Sequence, residues 1–311
     1  MSIAFVFPGQ GSQAVGMLAE LGAAFPQVGE TFEELSDVLG QDFVRLVQEG
    51  PAEALDRTEN TQPAMLGAGI AALRVWQACG GCQPSVLAGH SFGEYTALVA
   101  AEALEFATAA QLARLRGRLM QEAVPEGRGA MAAVLGLDDE RVRTLCAEQA
   151  RGEVLEAVNF NAPGQVVVAG ERQAVERLVP AAKAAGARRV VLLPVSVPAH
   201  SSLMRGAAAR LAEALREVPV KAPAIPVLHN VDVAEHRRPD EIREALAAQL
   251  YRPVRWVETI HAMRARGVDR VVELGPGKVL AGLVRRIDRS VPVQCADSPQ
   301  AMERALELCG G

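Results

Sequence analysis

Residues 3–7 (Ile-Ala-Phe-Val-Phe) are apolar without interruption and stop at Pro8-Gly9, the pattern of a strand buried on both faces. From 18 to 50 the apolar residues Phe32, Leu35, Val38 and Leu39 recur at three- and four-residue spacing, which predicts helix. Helical pattern continues, with breaks expected at Pro51 and Pro63, until a second short apolar strand at 85–88. Helices separated by isolated buried strands predict an α/β fold built on a parallel sheet.

The stretch 129–193 differs in character. It reads as strand (130–135), helix (138–150), strand (154–158), turn (159–164), strand (165–169), helix (171–185) and strand (190–193). That order, β-α-β-β-α-β, is the split arrangement of a ferredoxin-like unit, which closes on itself and can be inserted into a host fold. After Pro198 the first pattern resumes: helix 201–218, strand 227–231, helix 240–251, strand 271–274 and a helix from Lys278. The expected organisation is a discontinuous α/β large domain, 1–125 with 197–311, around a ferredoxin-like small domain, 126–196.

Composition narrows the classes. The chain has 311 residues with 32 Lys plus Arg against 37 Asp plus Glu, a net charge of −5, which disfavours nucleic acid or an anionic membrane as a general partner. No basic, apolar export signal opens the chain, and no apolar run approaches the roughly 18 residues that span a bilayer, so a cytoplasmic protein is expected. In that compartment the five cysteines, Cys79, Cys82, Cys146, Cys295 and Cys309, are expected as free thiols. Cys79-Gly-Gly-Cys82 has a redox spacing, but it follows a helical stretch and reads as a helix-ending turn; no second Cys/His pair completes a zinc site.

Two motifs carry candidate chemistry. Gly9-Gln10-Gly11-Ser12-Gln13-Ala14 follows a strand and reads as opening a helix, so it fits a dinucleotide fingerprint. The acidic residue that fingerprint needs on a second strand is missing, because the following region reads helical. A packing turn, or a loop presenting N–H groups to developing negative charge, stays in play. Gly89-His90-Ser91-Phe92-Gly93 fits the nucleophile elbow G-x-S-x-G, and a strand before it with a good helix former (94–101) after it supply the context that motif requires. This gives the large domain a hydrolase-like reading with Ser91 as nucleophile.

Serine needs a base. His90 is adjacent and its side chain diverges, His236 and His261 lie in polar runs, and His229 reads as a core histidine. His200, on the loop where the small domain ends, is the candidate. Gln249 interrupts the apolar stripe Ile242, Ala245, Leu246, Leu250, so its amide faces the core, either orienting the His200 Nδ1–H through a carbonyl oxygen or making an ordinary structural hydrogen bond. Arg116 likewise sits among Leu112, Ala113, Leu119 and Met120, and a buried guanidinium must meet an anion, from a protein carboxylate or from a substrate.

Together these residues resemble the malonyl-CoA:acyl carrier protein transacylase family, in 7–13, 89–95 and 115–120 and further in 159–165, 197–200, 249–254 and 273–277. The resemblance spans nearly the whole chain. It implies Ser91 as the acylated nucleophile, His200 as base, Gln249 as its orienting partner, Arg116 as anchor of the malonyl carboxylate, and the Gln10 and Phe92 N–H groups as the oxyanion hole. It also implies malonyl-CoA and an acyl carrier protein as partners, with no metal or redox cofactor. Phe92 and Ala199 depart from the leucine and serine frequent there. Arg188, Arg189, Lys278 and Arg285 are candidates for meeting the acidic carrier and the CoA phosphates. An α/β serine hydrolase or thioesterase shares the elbow, and an idle carrier-docking module is the non-enzymatic rival.

Overall fold

The computed structural model describes residues 2–195 and 197–309. Ser196, at the end of the expected small domain, lies outside the described residues, as do Met1 and 310–311. Among the described residues nine strands run in order: β1 (Ile3–Phe7), β2 (Val86–Gly89), β3 (Gly129–Leu135), β4 (Leu155–Ala162), β5 (Gln165–Glu171), β6 (Arg189–Leu192), β7 (Val227–Leu228), β8 (Arg270–Glu273) and β9 (Val293–Cys295).

Strands β7-β2-β1-β8-β9 form one sheet with every pairing parallel. Its two faces explain the unbroken apolar run in β1. Phe5 and Phe7 enter the core built on the long helix Thr58–Ala78, with Trp76 edge-on to Phe5 at 5.1 Å, while Ala4 and Val6 pack on the opposite side with Trp256, Ile260 and Leu280. Covered on both faces, such a strand has no polar side to alternate with. The helix Thr58–Ala78 runs through Pro63, where the sequence suggested a break. Proline there forfeits one hydrogen bond early in the helix, and burial along nearly its whole length outweighs that loss.

The second sheet, β4-β5-β3-β6, is antiparallel and is formed by the segment between β2 and β7. This is the ferredoxin-like order, with helices Asp139–Ala150 and Arg172–Ala184 sharing its core. The cluster of Met131, Val158, Val167 and Ala169 packs instead with Leu193, Val195 and Ala199. Two hydrogen bonds, Phe160 N–H to the Val254 carbonyl at 2.9 Å and Val254 N–H to the Val158 carbonyl at 2.8 Å, fasten β4 to the segment that leads into the helix Trp256–Ala265.

Four further local expectations change. Strand β4 continues through Asn159 and Asn161 to Ala162, where a turn was expected, with register shifts that accommodate the polar residues. Strand β7 is two residues long rather than 227–231, because His229 and Asn230 are drawn off by side-chain bonds. No helix starts on the glycine loop; the first helix is Ala19–Ala24, so the loop has no helix N-terminus to hold a pyrophosphate. Finally, Cys82 and Cys309 are joined in a disulfide across 227 residues, against the expectation of free thiols; only Cys79, Cys146 and Cys295 are free among the described residues. Pairing at that separation is a tertiary fact that spacing does not carry.

Candidate active site

Ser91 stands on the turn between β2 and the helix Gly93–Ala100, at φ 51°, a left-handed conformation rare for a residue with a side chain. The elbow closes because its flanks are glycine: a Cβ on Gly89 would lie 1.8 Å from the Gly93 carbonyl carbon. The glycine loop packs on the same turn, since a Cβ on Gly9 would meet the His90 carbonyl oxygen at 2.4 Å. Side-chain bonds hold the strained backbone. Asn230 accepts from the Ser91 N–H at 2.7 Å and donates to the Gly89 carbonyl at 2.7 Å, and Glu94 fixes Asn230 by accepting its N–H at 2.9 Å.

The Ser91 Oγ and His200 Nε2 are 2.7 Å apart. On the other side of the ring, Nδ1 is 2.7 Å from the main-chain carbonyl of Gln249. A carbonyl only accepts, so Nδ1 carries the hydrogen and Nε2 presents its lone pair to the serine hydroxyl. His200 is 3% exposed, and burial, followed by the nearby Arg116 charge, pushes its pKa down to about 3. The ring is therefore neutral, the form a base requires.

Gln249 sits beside His200, but by a different atom from the one its amide suggested. Its main chain serves the histidine, while its side chain accepts from Arg116 Nη2 at 2.9 Å and donates to the Ser91 carbonyl at 3.1 Å. Arg116 itself is 1% exposed, its guanidinium over the rings of Phe92 (5.9 Å) and Tyr95 (5.7 Å). Among the described residues its Nε has no hydrogen-bond partner and no ion pair joins it to a carboxylate. Burial lowers its pKa, the mark of a charge held at a cost.

Ser91, His200, Arg116, Gln10 and Phe92 line one cavity of about 230 Å³, together with Met131, Val167, Leu193 and Val195 from the second sheet and its exit. Neither the Gln10 nor the Phe92 N–H finds an acceptor among the described residues. The chain therefore assembles, at the carboxyl end of a parallel sheet, a serine beside a neutral histidine and, among the described residues, two N–H donors without an acceptor and a cation without a carboxylate partner.

A family model described as acyl transferase domain matches residues 4–304. The malonyl CoA-acyl carrier protein transacylase of Escherichia coli (strain K12) is 54% identical over 305 residues, covering 98% of this chain and 99% of that protein. The chain belongs to the malonyl-CoA:acyl carrier protein transacylase family. It is thus an acyltransferase. The Bacillus subtilis (strain 168) transacylase is 42% identical over 306 residues, covering 98% of this chain and 96% of its own. Among solved structures, a malonyl-transacylase in complex with its type II PKS acyl-carrier protein superposes at TM-score 0.98, with 51% identity over 99% of this chain and 100% of that one. The malonyl CoA-acyl carrier protein transacylase of Coxiella burnetii gives TM-score 0.98 at 47% identity, covering 100% and 98%.

Sequence reasoning missed several residues of this transacylase-family site. Glu94, fully buried in a helix of apolar neighbours, bears the same signature that marked Arg116; it binds His229 Nδ1 at 2.7 Å as well as Asn230. Asn161, 2.7 Å from His90 Nε2, gave no signal because a turn was expected there. His229 is the buried core residue expected of it, and His261 is exposed. His236 is not free in solvent but paired with Asp232 at 2.8 Å.

Proposed function

We propose that this chain moves a malonyl group from malonyl-CoA, through an ester on Ser91, to the phosphopantetheine thiol of an acyl carrier protein. The observation that carries the reading is Arg116, a buried cation without a carboxylate partner among the described residues, opening on the cavity that holds Ser91 and His200. A serine hydrolase would use the same pair with no need of that cation.

As Ser91 Oγ attacks the thioester carbonyl, His200 Nε2 takes its proton; the carbonyl oxygen becomes an oxyanion between the Gln10 and Phe92 N–H groups. Collapse breaks the C–S bond, and the imidazolium returns the proton to the departing CoA sulfur. The carrier thiol then repeats the sequence in reverse, giving up its proton to His200, adding to the Ser91 ester and releasing the hydroxyl. Arg116 meets the malonyl carboxylate in a two-point bond, and the Gln249 amide holds the guanidinium in place. Thioester and ester interconvert without change of oxidation state, so the chemistry asks for no metal or redox group.

Arg188, Arg189, Lys278 and Arg285 are exposed, which suits them to the acidic carrier and the CoA phosphates, and Arg285 also donates to the Val293 carbonyl at 2.9 Å. We divide the chain into a large unit, 1–125 with 197–311, and a small unit, 126–196, and assign it to the cytoplasm. No helix among the described residues is long and apolar enough to cross a membrane.

Incubation with radiolabelled malonyl-CoA tests the reading. Label retained on the protein and released by a carrier thiol supports transfer; label released as free malonate without carrier supports a hydrolase, and absence of label a docking module.

A further inference from the structure

The disulfide lies at the far end of the sheet from the reaction. Cys82 precedes β2, at the amino edge of the parallel strands, whereas Ser91 follows β2 at the carboxyl edge. Cys309 follows the helix Pro299–Glu307, which buries Ala301, Met302 and Ala305 against the body. The bond therefore ties that helix to the turn after Thr58–Ala78.

That turn holds a third sulfur. Cys79, three residues before Cys82, is exposed and free. The turn is pinned by Trp76, whose carbonyl accepts the Gly81 N–H at 3.0 Å and whose indole Nε1 donates to the Cys82 carbonyl at 3.0 Å. So held, the Cys82 N–H points at Cys309 Sγ, 3.1 Å away. An N–H donor stabilises negative charge on sulfur, so an attack on Cys82 Sγ expels Cys309 as the favoured leaving thiolate. The other two cysteines are buried, where a thiolate is disfavoured.

We propose that Cys82 is the pivot of a thiol–disulfide exchange site that reacts with low-molecular-weight thiols and disulfides of the glutathione class, alternating between Cys309 and the resolving thiol Cys79. To close the site, a Cys82 or Cys309 thiolate attacks glutathione disulfide, releasing one glutathione thiolate and leaving a mixed disulfide. The second protein thiolate displaces the other glutathione, so two electrons pass from protein thiols to glutathione disulfide. To open it, the Cys79 thiolate attacks Cys82 Sγ; the Cys82–Cys309 bond breaks, its electron pair leaves on Cys309, and a proton follows from solvent. That step is an exchange without net oxidation, and it frees the C-terminal helix while Ser91 is untouched.

The test uses the full chain in glutathione buffers of graded ratio, quenched with acid, alkylated and peptide-mapped. In the oxidised buffer a Cys82–Cys309 cross-linked peptide with Cys79 alkylated is expected. Dithiothreitol should leave all three alkylated and lower the thermal midpoint by about 5 °C or more, because so long a loop is released. In Cys309→Ser the cross-link should move to Cys79–Cys82, and in Cys79→Ser opening by limiting glutathione should slow about tenfold. Absence of the Cys82–Cys309 peptide at every ratio overturns the pivot, as does a Cys309→Ser chain that shows only glutathione adducts and no Cys79–Cys82 link.

Discussion

Arg116 and Gln249 face each other in the interior of the site, guanidinium Nη2 donating to the amide Oε1 at 2.9 Å, while the same amide's Nε2 donates to the Ser91 carbonyl at 3.1 Å. One side chain thus ties the cation to the nucleophile's backbone, and the main chain of the same residue orients the base.

Replacing Gln249 with leucine separates these roles. The carbonyl bond to His200 survives, but Arg116 loses a hydrogen bond to a charged donor, worth about 1.5–3 kcal/mol. The ratio of malonyl-CoA to acetyl-CoA kcat/KM should fall by about 10- to 150-fold. An unchanged ratio with a depressed rate for both substrates would show that the amide supports only the elbow.

Arg116→Ala removes the cation itself. A buried hydrogen-bonded charge pair costs about 2–5 kcal/mol to break, so malonyl transfer should fall by roughly 30- to 5,000-fold. Acetyl transfer, which never uses the pair, should hold or rise. If the folded variant keeps the parental ratio of the two kcat/KM values, Arg116 is structural.

The pH dependence follows from His200, whose pKa is lowered to about 3 by burial and by Arg116. The acid limb of the acylation rate should lie below about pH 5 rather than near the usual imidazole value of about 6.5. Unfolding has the linked signature. Between about pH 6.5 and 3 the unfolded chain binds a proton at this residue that the folded chain refuses, so stability is lost as pH falls through that window, by at most about 1.4 kcal/mol per unit. Denaturant midpoints for the parent and His200→Ala should therefore converge as pH falls from 7 to 5; parallel curves would place the ring in a solvated setting.

Asn230→Ala strips both bonds that hold the elbow, to the Ser91 N–H and the Gly89 carbonyl. Leaving such buried groups unpaired costs about 1–3 kcal/mol each. Stopped-flow acylation should slow by tenfold or more while the protein remains folded at 25 °C. An acylation rate within twofold of the parent would show that the glycines alone set the turn.

How much of this was legible depends on what each residue's neighbours in sequence reveal. Arg116 and Gln249 were visible because each interrupts an apolar helical stripe, and Ser91 because its glycines are dictated by close approach. Glu94 obeys the same stripe logic and went unread. Asn230 and Asn161 were illegible for a different reason: each acts through a partner more than 70 residues away, and the local pattern placed Asn230 in a strand and Asn161 in a turn, neither of which gives its side chain a role. The atom by which Gln249 serves His200 is a main-chain oxygen, and no side-chain pattern encodes it. Pairing of Cys82 with Cys309 rests likewise on the path of the whole chain.

The central claim is a malonyl ester on Ser91, and intact-protein mass spectrometry with peptide localisation measures it directly. Mixed with malonyl-CoA, the parent should gain the mass of one malonyl group within the mixing time, confined to the peptide containing Ser91 and discharged on adding holo carrier protein. Ser91→Ala should gain none. The same mass gain in Ser91→Ala, or a parental adduct on another residue that the carrier discharges, would contradict the account.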